Sequence, residues 1–365
     1  MLRTDRQRLK QRQLFVYGGL LLVSALLQVM SRHLLGFAEW YAVHIYPYLV
    51  QGIGSISNLL PVALDELLIY FLVIFSILYI VTGICHIVKK QITWKRWLWT
   101  LLVRVCKVVV VWAFVFTLTC GLNYHRTPFS KLAQLPIGES SVEELEELCL
   151  WLTEEIEKIA PLIATDEEGR CALPDKMRTL TRQAMEDLGE QYPQLGGWYP
   201  KAKPVLTWPV LSYESLEGVF GPYTMEAHYN PNIPAHNQPA VLCHELSHLK
   251  GFMREDEANY IAYLACTGSE NANLRYSGLL LAYTHSINAL YYADYERFVR
   301  VRIQLCEQAE QDYAYHKTYW KQFEGPVSEI SDKVNDTYLK VNAQSEGTKS
   351  YGRMVDLLLG EYRKR

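Results

Sequence analysis

Three long apolar runs in the first third of the chain constrain the fold more than any other feature. A stretch of about 20 apolar residues matches the hydrocarbon core of a bilayer. In that medium a lone segment satisfies its backbone only as a helix. The runs cover residues 14–30, 67–84 and 98–122 of the 365. The first is short, but residues 34–37 extend it, and no small-residue cleavage site follows, so it reads as an uncleaved anchor. The third carries Arg104 and Lys107 near one end, where long side chains snorkel to the interface. Residues 46–61 are also apolar but are broken by Gly52, Gly54, Pro47 and Pro61, which predicts a re-entrant or interfacial piece. The remaining chain has ordinary soluble composition, so the mean hydropathy of −0.04 averages two unlike parts. Residues 1–122 are expected to form a membrane anchor with about three transmembrane helices, and residues 123–365 a water-soluble domain.

Basic residues indicate orientation. Arg3, Arg6, Arg8, Lys10 and Arg12 precede the first run, and Lys89, Lys90, Lys95 and Arg96 separate the second from the third. Only Arg32 lies between the first and second. This pattern predicts a multi-pass protein of the cell membrane, with a cytoplasmic N-terminus and an extracytoplasmic soluble domain. A net charge of −3 gives no reason to expect a nucleic-acid partner. The 25 Tyr and 9 Trp suit either a membrane surface or a tightly packed helical domain. Of the 8 cysteines, Cys106 and Cys120 fall in apolar runs and Cys85 adjoins one. The others form no CxxC pair, which points away from both a disulfide framework and a cysteine metal site.

Beyond a proline-containing linker, Ser140 and Ser141 followed by Glu143 and Glu144 form a capping-box pattern. The pattern opens a helix with Leu145, Leu148, Leu152, Ile156 and Ile159 on one face. Another helix is expected from Pro174 to about Gln191, then a proline-, glycine- and aromatic-rich stretch with short extended pieces, such as 219–229. Helices are predicted at 239–250, 255–267, 271–292 and 293 to about 320, with one or two more after Gly325. The fold class expected is mainly α: transmembrane helices followed by a helix-rich α+β, zincin-like domain with a short sheet.

The predicted helix at 239–250 contains His244-Glu245-Leu246-Ser247-His248. Two histidines four apart stand one above the other on a helix face, so both imidazoles can reach one ion. Zinc accepts such nitrogens at about 2.0–2.1 Å. Glu245 lies about 100° round the helix from His244, beside the ion rather than on it, where it can take a proton from water. Val241, Leu242, Leu246 and Leu249 make the helix apolar on its flanks, and Gly251 suits a left-handed cap.

A catalytic zinc site needs a third protein ligand. In the metzincin signature a third histidine would fall at position 254, which here is Arg254. Glu255 is the preferred candidate. It opens a helix whose small face (Ala258, Asn259, Ala262, Ala265 and Cys266) would pack closely on the histidine helix, with Asn259 placed to support a ligand from behind. Glu257 is the other candidate. Residues 221–230 read as an extended segment along which a substrate could add as a strand, with His228 or Tyr229 as oxyanion donors. The same segment also reads as a plain structural strand. In the polar C-terminal stretch, Tyr351 or Arg353 could reach the cleft, or the stretch is a capped surface helix.

Residues 121–128, 244–260 and 334–358 together resemble an uncharacterised family of bacterial multi-pass membrane proteins, a domain-of-unknown-function group with a zinc-peptidase motif. The resemblance implies a multi-pass anchor and an HExxH domain of the glutamate-ligand type, and carries no substrate. Two functions are therefore in play. One is a zinc metallopeptidase acting on a peptide or protein, with His244, His248 and Glu255 on Zn2+ and Glu245 as general base. The other is a non-catalytic zinc-containing membrane sensor or scaffold.

Overall fold

The computed structural model describes residues 2–342, 344 and 353–365. Three helices are long and apolar enough to cross a membrane: α1 (Leu2–His33) over its portion Gln11–His33, α4 (Leu64–Val88) and α5 (Trp94–Thr119). Only 6% of the most apolar window of α4 or of α5 is buried by protein, so these side chains would need lipid around them. α1 packs along α5, and Lys107 Nζ donates to Gln13 Oε1 at 2.7 Å.

Between α1 and α4 lie α2 (Phe37–His44) and α3 (Tyr46–Ser57). At 12 residues, α3 is about 18 Å long, too short to cross a core of about 30 Å. Both helices are two-faced. Tyr41, Ala42, Tyr46, Val50 and Gly54 are buried against the rest of the protein, while Trp40, Val43, Tyr48 and Ile56 are exposed. This segment therefore lies on the globular part. Packing also crosses the division drawn at residue 122 from hydropathy: Tyr46 Oη donates to His248 O at 3.4 Å, and Glu39 pairs with Arg126 at 2.9 Å.

The globular part opens with the short α6 (Phe129–Leu132) and α7 (Val142–Ile159). Ser141 and Glu144 form the expected capping box, and the five predicted apolar positions of α7 are buried. α8 (Met177–Gln191) and the short α9 (Trp208–Tyr213) follow. The core is α10 (Gln238–Leu249), α11 (Glu255–Gly268) and α12 (Ala272–Ala293), layered with α7 and α8. Where one helix was expected from 293 to about 320, there are two, α13 (Tyr295–Arg302) and α14 (Glu307–Lys321). The break lets the chain satisfy two surfaces: Arg297 of α13 reaches Glu146 of α7 at 2.6 Å, and Asp312 of α14 accepts from Tyr276 of α12 at 2.7 Å. α15 (Pro326–Val341) and α16 (Met354–Tyr362) complete the chain.

A small sheet is ordered β1-β3-β2, from β1 (Lys203–Pro204), β2 (Gly218–Gly221) and β3 (Glu226–Tyr229). β1 runs parallel to β3, and β2 runs antiparallel to it with Val219 opposite His228. The expected single extended piece at 219–229 is thus two strands folded at residues 222–225, where Met225 takes a left-handed φ of 52°. The start of α4 is fastened to this sheet. Glu226 Oε2 accepts from the backbone N–H of Leu64 at 2.9 Å, His228 Nε2 lies 3.2 Å from Asp65, and Glu66 accepts from the backbone of Leu206 and Thr207.

Candidate metal centre

α10 begins at Gln238 and carries Pro239 in its first turn, where a missing N–H costs nothing, and the next free N–H, of Ala240, is satisfied by Ser277 Oγ at 3.1 Å. It ends where Gly251, at φ 82°, turns left-handed and Phe252 N donates back to Ser247 O at 3.2 Å. That turn points the chain into α11 and sets Glu255 in its first helical position, facing the histidine face of α10.

The three proposed donors converge. His244 Nε2 and His248 Nε2 are 3.0 Å apart, and Glu255 Oε2 lies 3.1 Å from the first and 3.8 Å from the second. The rear of each imidazole is held as well: His244 Nδ1 meets Asn259 Oδ1 at 2.7 Å, and His248 Nδ1 meets Phe252 O at 2.7 Å. A backbone carbonyl can only accept, so the proton of His248 sits on Nδ1 and its Nε2 presents a lone pair. Two such nitrogens side by side with a carboxylate repel unless a positive charge lies among them. The electrostatics follow that logic. Burial opposes protonation of His244, but the hydrogen bond and charge of Glu255 outweigh it and hold the imidazole up at about 9. Burial pushes His248 down to about 4. The pocket thus favours a positive charge beside Glu255, and two imidazole nitrogens with one carboxylate oxygen are a donor set suited to zinc.

Glu245 lies beside this cluster. It is buried, one of its oxygens (Oε2) has no hydrogen-bond partner, and burial raises its carboxyl to about 8. Its other oxygen touches the edge strand so closely that a Cβ on Gly218 would sit 2.5 Å from it. Glu257 faces elsewhere. It accepts from the backbone N–H of Phe129 at 2.8 Å and pairs with Arg254 at 3.1 Å, so it braces α6 rather than joining the histidines.

Other predicted positions fall away from the cluster. His228 and Tyr229 are on the central strand β3, and His228 points to Asp65 rather than into the cleft. The strand bordering the cleft is β2. Tyr351 lies outside the described residues, and Arg353 is exposed at the start of α16. Asp65, Glu226 and His228 also gather closely, but Lys203 Nζ sits 2.5 Å from Glu226 and supplies the positive charge there.

The centre opens into a cleft of about 960 Å³. Sequence reasoning gave no role to several of its walls: Tyr124 just past α5, His285 and Asn288 of α12, and Tyr338 of α15. Tyr124 Oη donates to Tyr338 Oη at 3.2 Å. Burial pushes the Tyr124 phenol up, so it stays a donor. The segment 121–128 also supports the centre from below. Arg126, buried, donates to Lys250 O at 2.7 Å at the end of α10, and stacks over Phe252 at 3.9 Å. Tyr46 of α3 reaches His248 O at 3.4 Å.

A family model described as "Protein of unknown function (DUF3810)" matches residues 41–359. No curated protein and no solved structure matches the chain.

Proposed function

The chain belongs to the DUF3810 family of proteins of unknown function, and for it we propose a membrane-anchored, zinc-dependent peptidase. The observation that carries this reading is the placing of Glu245. A buried carboxylate with an unpartnered oxygen stands next to the two imidazoles and Glu255, and also against the edge strand β2. A purely structural site has no use for such a group. His244, His248 and Glu255 would hold the ion, and Asn259 and the Phe252 carbonyl fix the two rings. A zinc ion bound there would supply Lewis acidity for a peptide carbonyl and for water. Glu245, its affinity for a proton raised by burial, takes the proton from the attacking water and returns it to the leaving amine. The free edge of β2 receives the substrate backbone as an added strand. Tyr338, whose hydroxyl accepts from Tyr124 and so keeps its own proton to give, is the donor to the developing oxyanion. The arrangement of basic residues along the anchor supports an extracytoplasmic catalytic domain.

The test is metal content and hydrolysis of a fluorogenic casein by full-length protein in detergent. Stoichiometric zinc is expected, lost with His244→Ala. Glu245→Gln is expected to keep the zinc and lose at least about 10²-fold in rate. Zinc binding with casein cleavage that is equal in both chains, or absent from both, would favour the scaffold reading instead.

A further inference from the structure

The direction of β2 names the kind of substrate. Its first residue, Gly218, touches Glu245. Its last, Gly221, packs against Asp65 at the start of the membrane helix α4. The next turn continues toward the membrane: Tyr223 lies against Trp112 of α5 with ring centroids 5.5 Å apart. Cys120 and Tyr124, the residues by which the chain leaves α5, line the same cleft as the metal-binding side chains.

The boundary between globular part and lipid can be read on both helices. On α4, Glu66 is buried and hydrogen-bonded to Leu206 and Thr207, while Leu67, Leu68, Ile69 and Phe71 are exposed and apolar. On α5, Trp112 is exposed, and Thr117 and Thr119 are buried. An exposed tryptophan at that level marks the headgroup zone. Strands rise about 3.3 Å per residue, so Gly218 and Gly221 are about 10 Å apart. A polypeptide laid along the free edge of β2 therefore travels from the catalytic carboxylate to the bilayer surface in about four residues.

We infer that the substrate is a bilayer-anchored polypeptide, cut in the extended segment that emerges from the membrane, about four residues from the surface. This rests on the peptidase reading and adds the substrate class to it. In such an arrangement the shared membrane confines substrate to the plane of the cleft mouth, and the edge strand measures the cut from the lipid. Water adds across one peptide bond, leaving a short membrane stub and a released segment.

The experiment uses the full-length zinc-loaded protein in phosphatidylcholine–phosphatidylglycerol vesicles. The probes are peptides with a 22-residue polyleucine anchor followed by one flexible 20-residue reporter segment, in two registers shifted by three residues. The same reporter without the anchor and casein serve as soluble probes. Cleavage sites are read by mass spectrometry, and Glu245→Gln is the blank. Anchored probes are expected to be cut at least about 10-fold faster than the soluble reporter, at a position held constant from the anchor when the register shifts. If soluble probes are cut as fast, or the cut follows the shifted sequence, this inference is overturned while the peptidase reading stands. If a zinc-loaded chain cuts neither anchored nor soluble probes above the blank, the peptidase reading falls and takes this one with it.

Discussion

Glu255 and Glu257 show what a shift of two positions decides. Two positions apart on a helix, they point about 200° from each other, so only one can face α10. Glu255 does, and Glu257 braces the backbone of Phe129. Glu255→Ala should therefore abolish stoichiometric zinc, whereas Glu257→Ala should retain it and lower the melting temperature. Zinc lost only from the second variant would reverse the assignment. Behind the ligands, Asn259→Ala should weaken zinc binding by about 10–100-fold, measured by competition with a chelator. Gly218→Ala should leave zinc in place but slow casein hydrolysis by about 10²-fold, because its Cβ would displace the Glu245 carboxylate. A second titratable effect sits on the far wall of the cleft. Burial pushes His236 down to about 3, so the folded protein keeps it neutral, whereas in the unfolded chain it titrates near 6.5. Between those values the unfolded chain binds the extra proton. Its contribution to stability is therefore present above pH 6.5 and is lost as pH falls toward 3. Urea midpoints at pH 7.5 and 5.0 should show the drop, and His236→Asn should reduce it.

The elements divide by how local their causes are. The capping box of α7, its apolar stripe and the glycine end of α10 were legible in the sequence because each is written within a few neighbouring residues. The meeting of His244 with His248 was legible for the same reason, and that of Glu255 with both because α11 follows α10 after one short turn. What was not legible depends on distant partners. β2 rather than β3 borders the cleft because β3 is covered on its other side by β1, fifteen residues upstream of β2 at Lys203. Tyr338 reaches the cleft only because α15 folds back over α5, where its ring meets Phe116. The segment 121–128 gave no chemical signal, yet Arg126 ties α2, α10 and the Phe252 ring together. Removing that buried guanidinium leaves Glu39 without its cation, a loss of about 3–5 kcal/mol. Arg126→Ala should accordingly show a lower melting temperature together with reduced zinc content, and a chain that keeps full zinc would separate Arg126 from the metal centre. Ser141→Ala, by contrast, should cost about 1 kcal/mol through its lost cap and leave zinc content unchanged.

At the scale of the whole molecule, hydropathy suggested an anchor and a separable domain, but packing joins them. Tyr46 is 1% exposed, seated below the end of α10, and Gly54 lies against Trp198 and Met225. A fragment beginning at residue 123 would uncover this seat and the face that binds Glu39, so it should aggregate or bind zinc poorly. The full-length protein in detergent should stay monodisperse. A soluble, zinc-replete fragment would show that α2 and α3 are dispensable. The same seat has a consequence for biogenesis. Tyr46 and His248 are 202 residues apart in the chain. A ribosome adding about 5–20 residues per second makes the first of them roughly ten seconds or more before the second. By then both intervening hydrophobic helices have already emerged. The polypeptide thus lays down the footing of its histidine helix before translating the helix itself, and that helix finds its footing only on a chain whose insertion has begun.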